Sequence, residues 1–354
     1  MLFAPLPPPV GGITSITAML HRELGENHDV LFVQPVPKTA SWKRVLRPLI
    51  SIVRLVRGTR RVRRAGRVVF FCSSRASFWD KCVWAAIVLL LGRTAVMVMV
   101  AGDFPEVFAR APRLARALAH WLFRRRRLIV AAQSASWATV YRGIFPHTTV
   151  TQVGATVDPE FFQERDATAS HRTPLRLLFV GWIIEDKGIL DLLDAVEGIA
   201  PSLAGRAHFR LVGPLFGRDS FWQREIDRRK VTALVELAGP VTRRADIRRE
   251  YLAADAFVFP SHFEGFPVAL LEATASGLPS VATDVGGVAD MLDGERAGLI
   301  VPPRDPGALG TALARLVGDE ALRRRLGDHA ARHAREAFSR EACLASYARV
   351  LGIA

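Results

Sequence analysis

Cysteine is scarce in this chain. Its 354 residues include three, Cys72, Cys82 and Cys343, widely spaced and odd in number. They offer neither a zinc pattern nor a disulfide framework, which suits a reducing compartment. No basic-then-apolar-then-small opening is seen, so no signal peptide is expected. Long apolar runs are also missing. The richest stretch, Cys82–Gly102, is interrupted at Gly92-Arg93-Thr94, and its first half falls short of the ~20 residues that a membrane span needs. It reads as a buried helix, a turn and a strand, T-A-V-M-V-M-V. No His, Asp, Glu or Cys cluster has metal-ligand spacing, so no metal is expected. Lysine is rare, five against 43 arginines, and acid is absent from Ser41–Arg67, which holds ten cations.

Half of the residues are hydrophobic, enough for large cores, and the length suggests two domains. The net charge of +14 is lopsided: residues 1–172 hold 25 Lys+Arg against 10 Asp+Glu, the remainder 23 against 24. Such asymmetry speaks of a partner surface, not of fold. Short apolar runs alternate with helical patterns, from the opening L-F through R-V-V-F-F-C and R-L-I-V-A-A to L-R-L-L-F-V, H-F-R-L-V-G, L-V-E-L-A-G and A-F-V-F-P-S. That alternation predicts an α/β class with parallel sheets, two Rossmann-like domains in tandem. The expected boundaries are 1–168, 169–336 and a terminal helix over 337–354 that crosses back. The polar stretch Glu164–Pro174 reads as the linker.

Several strands end in glycine or Pro-Ser, at Gly181, Gly213, Gly239 and Pro260-Ser261. Open parallel sheets bind ligands beyond their strands' carboxyl ends, where small residues let the backbone approach. One such loop leads into F-E-G-F-P-V-A-L-L-E, Phe263–Glu272, with a carboxylate near each end of an otherwise apolar run. The pattern predicts Glu264 in the loop, Pro267 in the first turn of the next helix, and Glu272 further along it, facing the same crevice. Ionised carboxylates accept well from vicinal hydroxyls, and the free amides of a helix start suit an anion.

These residues, with A-x-x-x-G-L-P-x-V-A-T after them, resemble the donor-site signature of retaining glycosyltransferases of the GT-B fold, in particular glycosyltransferase family four, the bacterial polysaccharide and glycolipid enzymes. The likeness runs through F-V-G-W-I-I-E-D-K-G-I, R-L-V-G-P, A-G-P-V, A-D-A-F-V-F-P-S and G-L-I-V-P-P-R-D, and includes the loop Pro9–Gly12. It implies two domains facing a central cleft, the first for the acceptor and the second for a UDP- or GDP-linked sugar, with no cofactor.

By this resemblance Glu264 contacts the transferred sugar, Glu272 holds the ribose, and Lys187 binds the diphosphate as a compact cation at the leaving group. Gly11, Gly12, Gly181, Gly213, Val241, Gly265, Phe266, Pro267 and Val268 complete the donor set. Trp182 stands where the family often has an arginine, and Ala101 where many relatives keep a histidine. Asp103 is the nearest polar candidate there, with helix capping as the alternative. Asp290 either touches the ligand or braces its loop, and His262 either faces the crevice or belongs to the scaffold.

Ser41–Arg67 and Arg113–Arg127 interleave cations with apolar residues, Trp121 and Phe123 among them. Such segments suit an anionic membrane surface and predict a peripheral enzyme on the inner face of the cytoplasmic membrane, where a lipid-linked or glycan acceptor would lie. A solvated arginine face on a core-packed helix is the plainer alternative. Nucleic acid is not expected as a partner, since no recognised module is present. Two other functions fit the same architecture: a silent nucleotide-sugar-binding protein and a sugar-nucleotide epimerase.

Overall fold

The computed structural model describes residues 66–72, 75–100, 102–162 and 173–353, with positions 2, 3, 16, 17, 19, 20, 22, 23, 32 and 33 before them. Two compact units result, one of Met1–Ala155 with Cys343–Ala354 and one of Thr156–Ala342.

The first unit holds a parallel sheet of β1 (Leu2–Phe3), β2 (Phe32–Val33), β3 (Arg67–Cys72), β4 (Thr94–Met99), β5 (Leu128–Ala132) and β6 (Thr149–Gln152), in the order β2-β1-β3-β4-β5-β6. Val68, Phe70, Val96 and Val98 are fully buried, as near-continuous apolar runs must be in a sheet covered on both faces. Helix α1 (Arg75–Leu90), the turn at Gly92 and β4 occupy the apolar stretch as the sequence predicts. Among the described residues no helix is long and apolar enough to cross a membrane. Helices α2 (Phe104–Ala109), α3 (Arg113–Phe123) and α4 (Ala135–Ile144) follow; Ser134 caps the last, accepting from Trp137 N at 3.1 Å. The pattern reading missed β6, whose T-V-T-Q is half to fully exposed at the sheet's edge and lacks a buried face to imprint apolar alternation.

The second unit begins with a short turn, Pro159–Phe161. Its elements are β7 (Leu175–Val180), α5 (Ile189–Leu203), β8 (Ala207–Val212), α6 (Asp219–Arg228), β9 (Val235–Gly239), α7 (Arg244–Ala253), β10 (Ala256–Phe259), α8 (Val268–Ala275), β11 (Ser280–Thr283), α9 (Val288–Met291), β12 (Gly298–Val301), α10 (Pro306–Gly318) and α11 (Glu320–Phe338). Helix α12 (Arg340–Leu351) ends the chain's described structure, within residues that mostly group with the first unit. Helix α5 buries Ile189, Leu192, Leu193 and Val196, one face at helical spacing, against the sheet and α10. Asp305 caps α10 on Ala308 N at 2.9 Å, ahead of a proline at its first position.

The strand order here is β12-β11-β10-β7-β8-β9, every pair parallel. Chain order therefore reverses between β7 and β10. That reversal is the place where doubly wound sheets open a crevice beyond their carboxyl ends. Of the expected linker Glu164–Pro174, only Thr173 and Pro174 lie among the described residues.

Candidate functional site

The loops after β7 and β10 straddle the reversal and touch. Gly188 adopts φ 67°, and a Cβ there would stand 1.9 Å from the carbonyl oxygen of Pro260, so only glycine fits. His262 N donates to Asp186 O at 3.0 Å across the same seam. This close approach joins Lys187, in the turn Glu185–Lys187, to Glu264: the ammonium donates to Oε1 in an ion pair, and Ser261 Oγ donates to the same oxygen at 3.3 Å. Both side chains are mostly buried, 24% and 16% exposed, so solvent screens this pair less than a surface one.

The loop after β11 closes the other side. A Cβ on Gly286 (φ 58°) would come within 2.2 Å of Glu264 O; Gly287 N donates to Gly265 O at 3.1 Å and packs against the Phe266 ring. Three backbone loops thus fix where Glu264 stands.

Glu272 forms a second group. It is 5% exposed, and both of its oxygens are engaged, one by Arg244 Nη1 at 3.2 Å and the other by the Tyr251 hydroxyl at 3.1 Å. Arg244 also pairs with Asp158 at 3.4 Å. Burial pushes the Glu272 carboxyl above its ordinary range, against the pull of Arg244 and Tyr251. The sequence reading placed Glu272 on a side that can face the same crevice as Glu264; in the structure it is buried and engaged by Arg244 and Tyr251 of α7. Pro267 is the N-cap of α8, one position earlier than predicted, in an extended backbone (φ −72°, ψ 110°).

His262 Nε2 lies 2.7 Å from Asp191 Oδ2 on α5, which ties the loop to that helix. The Asp290 carbonyl accepts from His333 Nε2 at 2.9 Å, which braces α9 against α11. Gly181, Gly213, Gly265, Phe266 and Val241 lie in loops at the carboxyl edge, and Val268 is exposed at the start of α8. Asp103 sits in the first unit as N-cap of α2 and makes no side-chain cap bond. Gly11 and Gly12 fall outside the described residues, as do Ala101 and most of Ser41–Arg67.

Arg244, Tyr251 and Asp158 went unread in the sequence. One signal was available. Arg243-Arg244 opens a helix, where the macrodipole disfavours cations, so the pair implied an anionic partner close by.

Residues 174–319 match the family described as Glycosyl transferases group 1. The chain is 31% identical over 186 residues to the amylovoran biosynthesis glycosyltransferase AmsK of Erwinia amylovora, covering 49% of this chain and 42% of the relative. It is 29% identical over 151 residues to the putative teichuronic acid biosynthesis glycosyltransferase TuaC of Bacillus subtilis, covering 43% and 35%. The chain thus spans well under half the length of the curated relatives it matches. Among solved structures, Anabaena Alr3699/HepE in complex with UDP superposes with a TM-score of 0.74 at 18% identity, covering 99% of both chains. WaaG, a glycosyltransferase involved in lipopolysaccharide biosynthesis, gives 0.68 at 15%, covering 99% of this chain and 98% of that one. These likenesses speak to fold: the chain has the GT-B architecture, and its residues 174–319 resemble the group 1 glycosyl transferases.

Proposed function

We propose that the protein is a group 1 glycosyltransferase of polysaccharide or glycolipid synthesis. It moves a sugar from a nucleotide donor, UDP- or GDP-linked, to a glycan or lipid-linked acceptor, with retention at the anomeric carbon and without a metal. The observation that carries this reading is the Lys187–Glu264 pair at the reversal point of the second sheet, inside the stretch that matches the family. A neighbour of the same fold holds UDP-glucose, which supports a donor of this chemistry.

In the reaction, the bond from the anomeric carbon to the diphosphate oxygen breaks, and the acceptor hydroxyl oxygen bonds to that carbon as its proton passes to the departing diphosphate. Negative charge grows on the departing diphosphate, where a fixed cation lowers the barrier. Lys187 takes that place, exchanging part of its contact with Glu264 for the phosphate. Glu264 is then free to accept from sugar hydroxyls, and Glu272 to hold the ribose once a ligand draws it from Arg244.

Membrane association fits α3. Leu114, Leu118 and Trp121 are 73%, 58% and 58% exposed at i, i+4 and i+7, and Arg125 stacks over Trp121 at 4.1 Å. Arg113 and Arg124–Arg127 flank the stripe, with no acid in residues 113–127. An apolar stripe rimmed by cations suits the headgroup region of an anionic leaflet and supports a peripheral enzyme on the inner face of the cytoplasmic membrane.

Calorimetry tests the donor assignment. Glu272→Ala should lose about 1–3 kcal/mol of nucleoside diphosphate affinity, whereas Glu264→Ala should bind it like the parent yet transfer slowly. If both bind and transfer like the parent, the donor site lies elsewhere.

A further inference from the structure

Two large aromatic side chains of the second unit are left in the open. Trp182 and Phe216 are 58% and 59% exposed, with ring centroids 5.4 Å apart at 81°, so that they form a corner. They stand on the loops after β7 and β8, beside the crevice already described.

Those loops are built to hold them. Gly181 N donates to Val212 O at 3.0 Å and Ile183 N to Pro214 O at 3.1 Å, so the backbones run joined past the strand ends. Gly213 N continues the seam to Gly239 O at 2.9 Å, two residues before Val241. Phe216 adopts φ 53°, the left-handed region that a side chain disfavours, and Gly217 follows at 72°. Arg218 N donates to Leu215 O at 3.1 Å, closing a tight turn around the two residues, while the ring that Phe216 presents faces solvent. An unfavourable backbone that displays an aromatic ring at a ligand edge points to a ligand.

The surroundings give the ligand's chemistry. Arg218, next but one to Phe216, donates to Glu185 Oε1 at 3.0 Å, and Glu185 begins the turn that carries Lys187. The corner thus shares its two loops with Lys187 and Arg218, an arrangement that fits a planar ring joined to phosphates. We propose that Trp182 and Phe216 form the stacking surface for the base of the donor nucleotide. Trp182, where the family resemblance leads one to expect an arginine, then serves the base rather than the diphosphate. The inference rests on the donor reading above and adds the base's place to it. Base stacking on an aromatic side chain is sequence-tolerant and accounts for roughly tenfold to a hundredfold in affinity.

The test is calorimetric titration of parent, Trp182→Ala and Phe216→Gly with UDP, GDP and inorganic pyrophosphate. Phe216→Gly removes the ring while easing the backbone, so this variant should fold at least as well as the parent. Expected is a loss of about tenfold or more in UDP or GDP affinity in both variants, with pyrophosphate affinity unchanged; Trp182→Phe should recover most of it. Nucleoside diphosphate affinities within twofold of the parent, or a pyrophosphate affinity that falls in step, would overturn the stacking role while leaving the donor reading intact. A parent that binds neither UDP nor GDP would overturn both.

Discussion

Each unit stacks helices on a six-stranded parallel sheet, yet the first carries 24 Lys+Arg against 6 Asp+Glu and the second 24 against 28. In the second unit several cations are paired with part-buried or buried acids. Arg210 bridges Glu236 and Glu250, with Arg176 on the same Glu250; Arg229, 4% exposed, holds Asp194 and Glu225; Arg244 holds Asp158 and Glu272. In the first unit the arginines of residues 113–127 have no acid beside them in sequence and rim an exposed apolar stripe. Shared architecture therefore says little about task; where each unit sends its cations says more. One unit pairs much of its charge with its own acids, and the other leaves a run of it on an exposed face.

Breaking the outward charge should produce the largest effect. Each surface cation contributes about 1 kcal/mol at an anionic leaflet, so replacing Arg124–Arg127 by Gln should weaken sedimentation with phosphatidylglycerol vesicles by roughly a thousandfold. Salt should release the parent, since the attraction falls off within a Debye length. Nucleoside diphosphate affinity should not change. Equal partitioning of the parent to neutral and anionic vesicles would mean that the arginines only solvate a helix face.

Removing the site's lysine comes next. Lys187→Ala should slow sugar transfer by roughly a hundredfold or more while the fold persists, because charge stabilisation at the leaving group is lost. Transfer by the parent should survive a chelator. A chelator-sensitive parent together with normal Lys187→Ala kinetics would refute the lysine's role.

The same comparison explains what could be read beforehand. The second unit's strands and loops were legible because buried parallel strands are unbroken apolar runs that end in glycine or proline, as in A-F-V-F-P-S. Glu264 and Glu272 were legible from the motifs around them and the family resemblance those motifs carry. Their partners were not: Lys187 and Glu264 lie 77 residues apart and meet only because β7 and β10 are neighbours, and Arg244 reaches Glu272 from the helix after β9. Pairing across a sheet depends on strand order, which no local pattern encodes. Strand β6 was obscured for the opposite reason, since an exposed edge strand need not alternate. The basic amphipathic segment Arg113–Arg127 was legible, but not that Leu114, Leu118 and Trp121 are its exposed apolar residues while Phe123 is buried.

The smallest expected effect concerns Glu272, where the inward use of charge has a cost. Burial holds its carboxyl above the ordinary range, so the fold favours the protonated form. At a pH below the ordinary carboxylate value both the folded and unfolded chains are protonated and nothing is lost. As pH rises, the unfolded chain ionises first; stability is lost from there until the folded group ionises too, and it stays lost above. Glu272→Gln keeps an oxygen for the Tyr251 hydroxyl but has no charge to bury. Its melting midpoint should therefore exceed the parent's at pH 8 by more than it does at pH 4, while its nucleoside diphosphate affinity falls. Greater stability with poorer binding is the pattern expected of a charge kept for a ligand rather than for the fold. A variant equally destabilised at both pH values would show instead that the Arg244–Glu272 pair holds the unit together, and the contrast drawn between the two units would lose its sharpest example.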